Sequence, residues 1–175
     1  FVADSLVITT DIQCDNGVIH VIDAVMLPSD TTIPEVAGEA GSFETLIAAV
    51  KAAGLADVLS SDGPFTVFAP TDEAFAKLPK GTVQSLLQPE NKGRLVNILK
   101  YHVVPGRVHA NQAVDAGSAK TLQGQTLAIQ FGADGVKVND SRVVATDVAA
   151  ANGVIHVIDS VLLPPEINAQ AARRR

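Results

Sequence analysis

The sequence predicts an α+β fold, with helices in the first half of its main domain and strands in the second. Three observations carry that prediction. Phe43, Leu46, Ile47 and Val50 recur at helical spacing, and Leu95, Ile98, Leu99 and His102 repeat the pattern. Further on the period changes to two: Leu127, Ile129 and Phe131 alternate with Thr126, Ala128 and Gln130. Finally, Gly153 to Asp159 reads Gly-Val-Ile-His-Val-Ile-Asp, almost unbroken apolar and β-branched. Such a run, led by Asn152-Gly153, is a strand buried on both faces and opened by a tight turn. Helices first and hairpins later exclude the regular strand–helix alternation of α/β proteins.

The heptapeptide occurs twice. It also stands at Gly17 to Asp23, so that His20 and His156 are 136 residues apart. Asn16 matches Asn152, Thr10-Asp11 matches Thr146-Asp147, and Val7 matches Val143. Val25, Leu27 and Pro28 match Val161, Leu163 and Pro164. Residues 1–28 therefore copy residues 137–164, and nothing earlier copies residues 41–136. A period of that length is a domain and not a solenoid repeat. The expected organisation is a partial repeat (1–28), a linker (29–32), one whole domain (33–165) and a tail (166–175).

Within the domain, Ile33 to Gly41 reads as a helical turn with Pro34 at a first position. Ser42 is the expected N-cap of the next helix, which Gly54 ends. Leu55 to Ser60 is a second short helix, stopped at Ser61-Asp62-Gly63-Pro64. Phe65 to Ala69 is a strand broken by Pro70, and Thr71 then caps a helix with Asp72 and Glu73 in its first turn. Thr82 to Gln88 and Asn91 to Val103 are further helices; Pro105-Gly106 ends the second. Gln123-Gly124 and Asp134-Gly135 are hairpin turns. Val136 and Val138, Arg142 to Val148, and Val154 to Leu162 complete the strands, and Pro164-Pro165 closes the domain. In the partial repeat, residues 2–8 and 18–27 are strands joined by a linker from Asp11 to Gly17.

Composition limits function. The net charge of −6 argues against a nucleic-acid partner, whose phosphates would repel the chain. Cys14 is the single cysteine, so no internal disulfide forms. The apolar runs are too short, and too often interrupted by Asp23, Lys51 or Asp159, to span a membrane. No phosphate-binding glycine loop, nucleophile elbow or Cys/His cluster is present, so no enzyme, cofactor or metal site is read. Asn139-Asp140-Ser141 fits the N-glycosylation pattern.

Three segments together point further. Phe65-Thr-Val-Phe-Ala-Pro-Thr-Asp-Glu-Ala-Phe75, Leu99-Lys-Tyr-His-Val-Val-Pro105 and Asn152-Gly-Val-Ile-His-Val-Ile-Asp159 resemble the characteristic segments of the fasciclin-like domain family, in its order and spacing. The resemblance covers roughly residues 33–165, and residues 1–28 resemble the end of a preceding copy. It implies a β-sandwich or wedge with a helical side. It also implies a secreted, cell-surface or periplasmic adhesion module, used in tandem, that binds a protein or matrix partner. By the same resemblance Tyr101 and His102, with Leu99 and Val103, are implicated in partner binding.

The residues have their own readings. His102 lies on an apolar helix face, where a buried neutral imidazole holds a backbone group. Tyr101 lies beside that face, where a wet hydroxyl serves a contact. His20 and His156 sit in apolar strands with no second metal ligand at a motif spacing. Asp159 ties the amides of a neighbouring loop. Phe68, Pro70, Thr71, Asp72, Phe75, Asn152 and Gly153 belong to the family segments and are read as structural. A binder of small apolar ligands between helices and sheet is the alternative function, with room left by many Ala and Gly side chains. Two apolar strands without their own domain also need a cover. Three covers are open to Val18, Ile19, Val21, Ile22, Val25 and Leu27: a sheet edge of the same chain, the edge of another chain, or the place of residues 137–164 in a neighbouring molecule. An intermolecular arrangement, self-association through residues 1–28, is favoured.

Overall fold

The computed structural model describes residues 7–23, 30–132 and 135–165. Val25 and Leu27, the tail and the Asp134 half of one expected turn lie outside them. The described elements are β1 (Val7–Cys14), β2 (Gly17–Ile22), α1 (Ile33–Glu39), α2 (Glu44–Ala53), α3 (Ala56–Leu59), β3 (Phe65–Pro70), α4 (Asp72–Ala76) and α5 (Thr82–Leu86). After a 3₁₀ turn at Pro89–Asn91 come α6 (Lys92–Tyr101), β4 (Val103–Pro105), α7 (Ala110–Ala116), β5 (Ser118–Lys120), β6 (Thr126–Gly132), β7 (Gly135–Val138), β8 (Ser141–Ala150) and β9 (Gly153–Ile158).

Seven strands form one mixed sheet in the order β4-β3-β9-β8-β7-β6-β5. β9 is its hinge. It runs parallel to β3, with Val67 opposite Ile155, and antiparallel to β8. Its residues are buried on both sides, as an unbroken apolar strand requires. Ile155 faces a core shared with Leu46, Val50, Leu95 and Leu99 of α2 and α6. Ile158 faces a second core with Phe68, Tyr101, Leu127 and Val138. The sheet folds over that second core, and the Leu122 N–H reaches Val103 O at 2.7 Å beside the far edge strand. This is the wedge with a helical side.

The structure corrects several boundaries. Ser42 does not cap α2; its hydroxyl meets Ala40 O, and the cap position is Phe43. The cap comes instead from Asp72, whose carboxylate accepts from Thr45 N–H at 2.8 Å and Glu44 N–H at 3.1 Å. The helix expected to reach Val103 ends at Tyr101, because Val103 to Pro105 pairs with β3 as an edge strand. α7 was not expected, and neither was β5. β9 stops at Ile158, short of the expected Leu162. Phe131, expected to share the buried face of β6 with Leu127 and Ile129, is 72% exposed. The segment from Asp11 onward is strand, not linker: β1 runs to Cys14, and the turn is Asp15-Asn16 alone.

Candidate functional site

Tyr101 and His102 end α6 where it passes between the two cores. Both are buried, as are Leu99 and Val103. The His102 Nδ1–H donates to Ile98 O at 2.8 Å, and Nε2 accepts from Leu162 N–H at 3.0 Å. Burial pushes this imidazole down to about 4, against a smaller upward pull from Ile98 O. A second ring proton would also point at the Leu162 N–H. The Tyr101 hydroxyl is not in water, contrary to expectation; it accepts from Asn139 Nδ2 at 3.1 Å. That nitrogen is also the atom a glycan would need. None of the four residues offers surface to a partner in this fold.

His156 is likewise fixed through both nitrogens. Nδ1 accepts from Asp147 N–H at 3.3 Å, and Nε2–H donates to Val108 O at 3.0 Å. Burial lowers its pKa, partly offset by Val108 O and by Asp147. Its ring is tilted against Phe68, with centroids 5.4 Å apart. Asp159 accepts from Arg142 N–H at 3.0 Å and pairs with Lys77 at 3.2 Å. Desolvation pushes its carboxyl up, and the bonds from Arg142, Lys77 and Ser160 outweigh that and hold it low.

Asn152 is the tie between layers. Its Oδ1 accepts from Ile33 N–H at the start of α1. Its Nδ2 donates to Leu59 O at 2.6 Å, at the end of α3, and to Ser61 O at 2.9 Å just past it. Gly153 follows because no side chain fits: a Cβ there would stand 2.0 Å from Phe65 O. Thr71 accepts from Ala74 N–H and caps α4; Phe75 packs, half-buried, against the helix-side core. Pro70 is fully buried at the end of β3.

Sequence reasoning gave His109 no role. The structure makes it the N-cap of α7, with Gln112 Oε1 returning to its N–H and Nδ1 3.2 Å from Asp147. Among the described residues no group of three metal-ligating side chains comes together, and no helix is long and apolar enough to cross a membrane.

Two surface features remain. The first is an apolar cavity of about 80 Å³ between α1, α2, α3, α6 and the sheet, floored by Val67, Leu99 and Ile155. The second is the β1–β2 hairpin, a separate two-stranded sheet. It repeats β8–β9 position for position: Ile12 pairs with Ile19 as Val148 pairs with Ile155. Both hairpins carry an aspartate at positive φ, Asp11 and Asp147, and in both its N–H meets the histidine Nδ1. Burial is the difference. Ile19 is 52% exposed, against 2% for Ile155.

A seven-stranded mixed sheet between a helix-side core and a second core, with ties at Tyr-His and Asn-Gly, defines an α+β module. An insect structure shares it: the FAS1 domain pair from the cell adhesion molecule Fasciclin I superposes with a TM-score of 0.71 at 23% identity, over 93% of this chain and 60% of that one. The Fasciclin domain model matches residues 1–28 and 41–164, and the chain belongs to that family. It is 55% identical to Protein sll1483 of Synechocystis sp. over 145 residues, which is 83% of this chain and 80% of that protein. It is 38% identical to the pig transforming growth factor-beta-induced protein ig-h3 over 156 residues, 88% of this chain but 22% of that protein.

Proposed function

We propose that the chain is an adhesion module that acts by surface binding, without catalysis, outside the cell or in a periplasm. Residues 7–22 are read as the closing hairpin of a second fasciclin domain. The observation that carries the reading is the uncovered apolar surface of that hairpin. Ile8, Ile12, Val18, Ile19 and Val21 are all exposed, on a sheet whose two outer edges have no strand partner among the described residues. Such an edge invites another strand. The family membership supports the same reading, since one member of known structure is a cell adhesion molecule. The partner is a protein or matrix surface, a second copy of the chain included. Beads coated with the chain are expected to cluster, with each other or on protein-coated surfaces, and to lose this on deletion of residues 1–30. Beads that stay dispersed on every surface would count against adhesion.

A second reading is favoured by the cavity. Its lining is apolar apart from two lysines and His102, which suits a small apolar ligand. Saturable uptake of such a ligand by the isolated chain would support it.

A further inference from the structure

The two lysines narrow that second reading. Lys51 of α2 and Lys100 of α6 both line the cavity and both are exposed. Neither ammonium group has a hydrogen-bond or ion-pair partner among the described residues, whereas that of Lys77 is committed to Asp159. No aspartate or glutamate is part of the lining. His102, the other polar residue there, has both nitrogens occupied by backbone groups and stays neutral. The same opening carries two exposed apolar side chains, Val58 at 44% and Leu122 at 38%. The site therefore joins an apolar floor, an apolar lip and two unneutralised ammonium groups on a chain whose net charge is −6.

We propose that the cavity binds a free aliphatic carboxylate of the fatty-acid type, tail inward, with its head group held by Lys51 and Lys100. The inference rests on the small-ligand reading and adds the head group to it. The aliphatic stems of both lysines extend the apolar wall while their charges remain in water, as long cationic side chains do. The volume sets the tail. At about 80 Å³ the cavity has roughly half the ~150 Å³ that accepts benzene in an engineered protein core. It thus takes the end of one chain, and the rest lies across Val58 and Leu122. Two point charges favour an anion without demanding a fixed bidentate geometry, which suits a mobile carboxylate.

The test is a titration of the whole chain with octanoate and, separately, octanol, followed by methyl NMR of Leu99, Val103 and Ile155. Octanoate is expected to shift these methyls saturably and to bind at least tenfold tighter than octanol at low salt. The Lys51→Gln/Lys100→Gln variant, altered only at exposed positions, is expected to bring octanoate down to the octanol affinity. Equal binding of the two probes, or an unchanged affinity in the variant, overturns the carboxylate assignment and leaves the cavity reading intact. Absence of both probes from the cavity overturns both. Co-sedimentation with anionic vesicles in place of octanoate binding would assign the lysines to a membrane surface and overturn the free-acid proposal.

Discussion

Acid should destabilise this domain through His102 before its carboxylates titrate. In the folded chain the imidazole is buried and neutral, with a pKa near 4 against an ordinary value of 6.5. The folded value is depressed, so above pH 6.5 neither state holds the proton and the group costs nothing. Between pH 6.5 and 4 the unfolded chain takes up a proton that the folded chain refuses. Stability falls across that window and levels off below it. A displacement of this size corresponds to about 3 kcal/mol in full, and to about 2–3 kcal/mol between pH 7 and pH 4.5. Urea unfolding at pH 7, 6, 5 and 4.5 measures the loss. His102→Gln supplies the control, because every other titrating group is shared and only the difference in pH slope belongs to His102. The variant should be less stable at pH 7 by about 1–3 kcal/mol, through the orphaned Leu162 N–H or Ile98 O, and should converge on the parent as pH falls. Parallel pH profiles, or an imidazole titrating near 6.5 by NMR, would refute the buried neutral assignment.

Other consequences are local. Asp72→Ala removes the carboxylate that caps α2 from outside and should cost about 1–2 kcal/mol by thermal or urea unfolding. Desolvation works against that carboxyl, but bonds from Thr45 and Glu44 hold its pKa below 3.8, so its contribution is present at neutral pH and disappears as pH falls through the folded value. Gly153→Ala drives a Cβ against Phe65 O and should cost more than about 2 kcal/mol, or prevent folding. The matching Gly17→Ala has nothing within 4 Å and should leave the unfolding midpoint unchanged. Asn152→Ala strands Ile33 N–H and Leu59 O and should cost about 2–4 kcal/mol, read from the same urea curves.

What the sequence made legible was what its own periodicity encodes. β9 was readable as a doubly buried strand because nothing polar interrupts it except His156, whose two nitrogens the backbone satisfies. The face of α6 was readable for the same reason, and burial of His102 followed from its register. Contributions from distant chain were not readable. Asp72 looked like a first-turn residue of its own helix, and only the fold brings it to the start of α2, 27 residues away from Thr45. α7 carries small residues, Ala110, Ala113 and Val114, with no strong apolar stripe, and its cap is a histidine. Asp11 reads as the start of a linker, yet Asp11 and Asp147 occupy the left-handed kink of a strand, where a short polar side chain is tolerated. At the candidate sites, the Tyr-His segment was found as a motif but its burial removes it from the surface. The cavity's lysines were invisible, because α2 and α6 meet only in three dimensions.

The account turns on the hairpin at residues 7–22, an apolar copy of β8–β9 whose apolar side chains are exposed among the described residues. Burying one Ile or Val side chain is worth about 1.5–3 kcal/mol, and five such side chains lie exposed there. Light scattering coupled to size exclusion, on the whole chain and on the chain lacking residues 1–30, measures whether that surface recruits a partner copy. The expected result is a concentration-dependent dimer or larger species for the whole chain and a monomer for the shortened one. A monomer in both cases would contradict self-association through this hairpin.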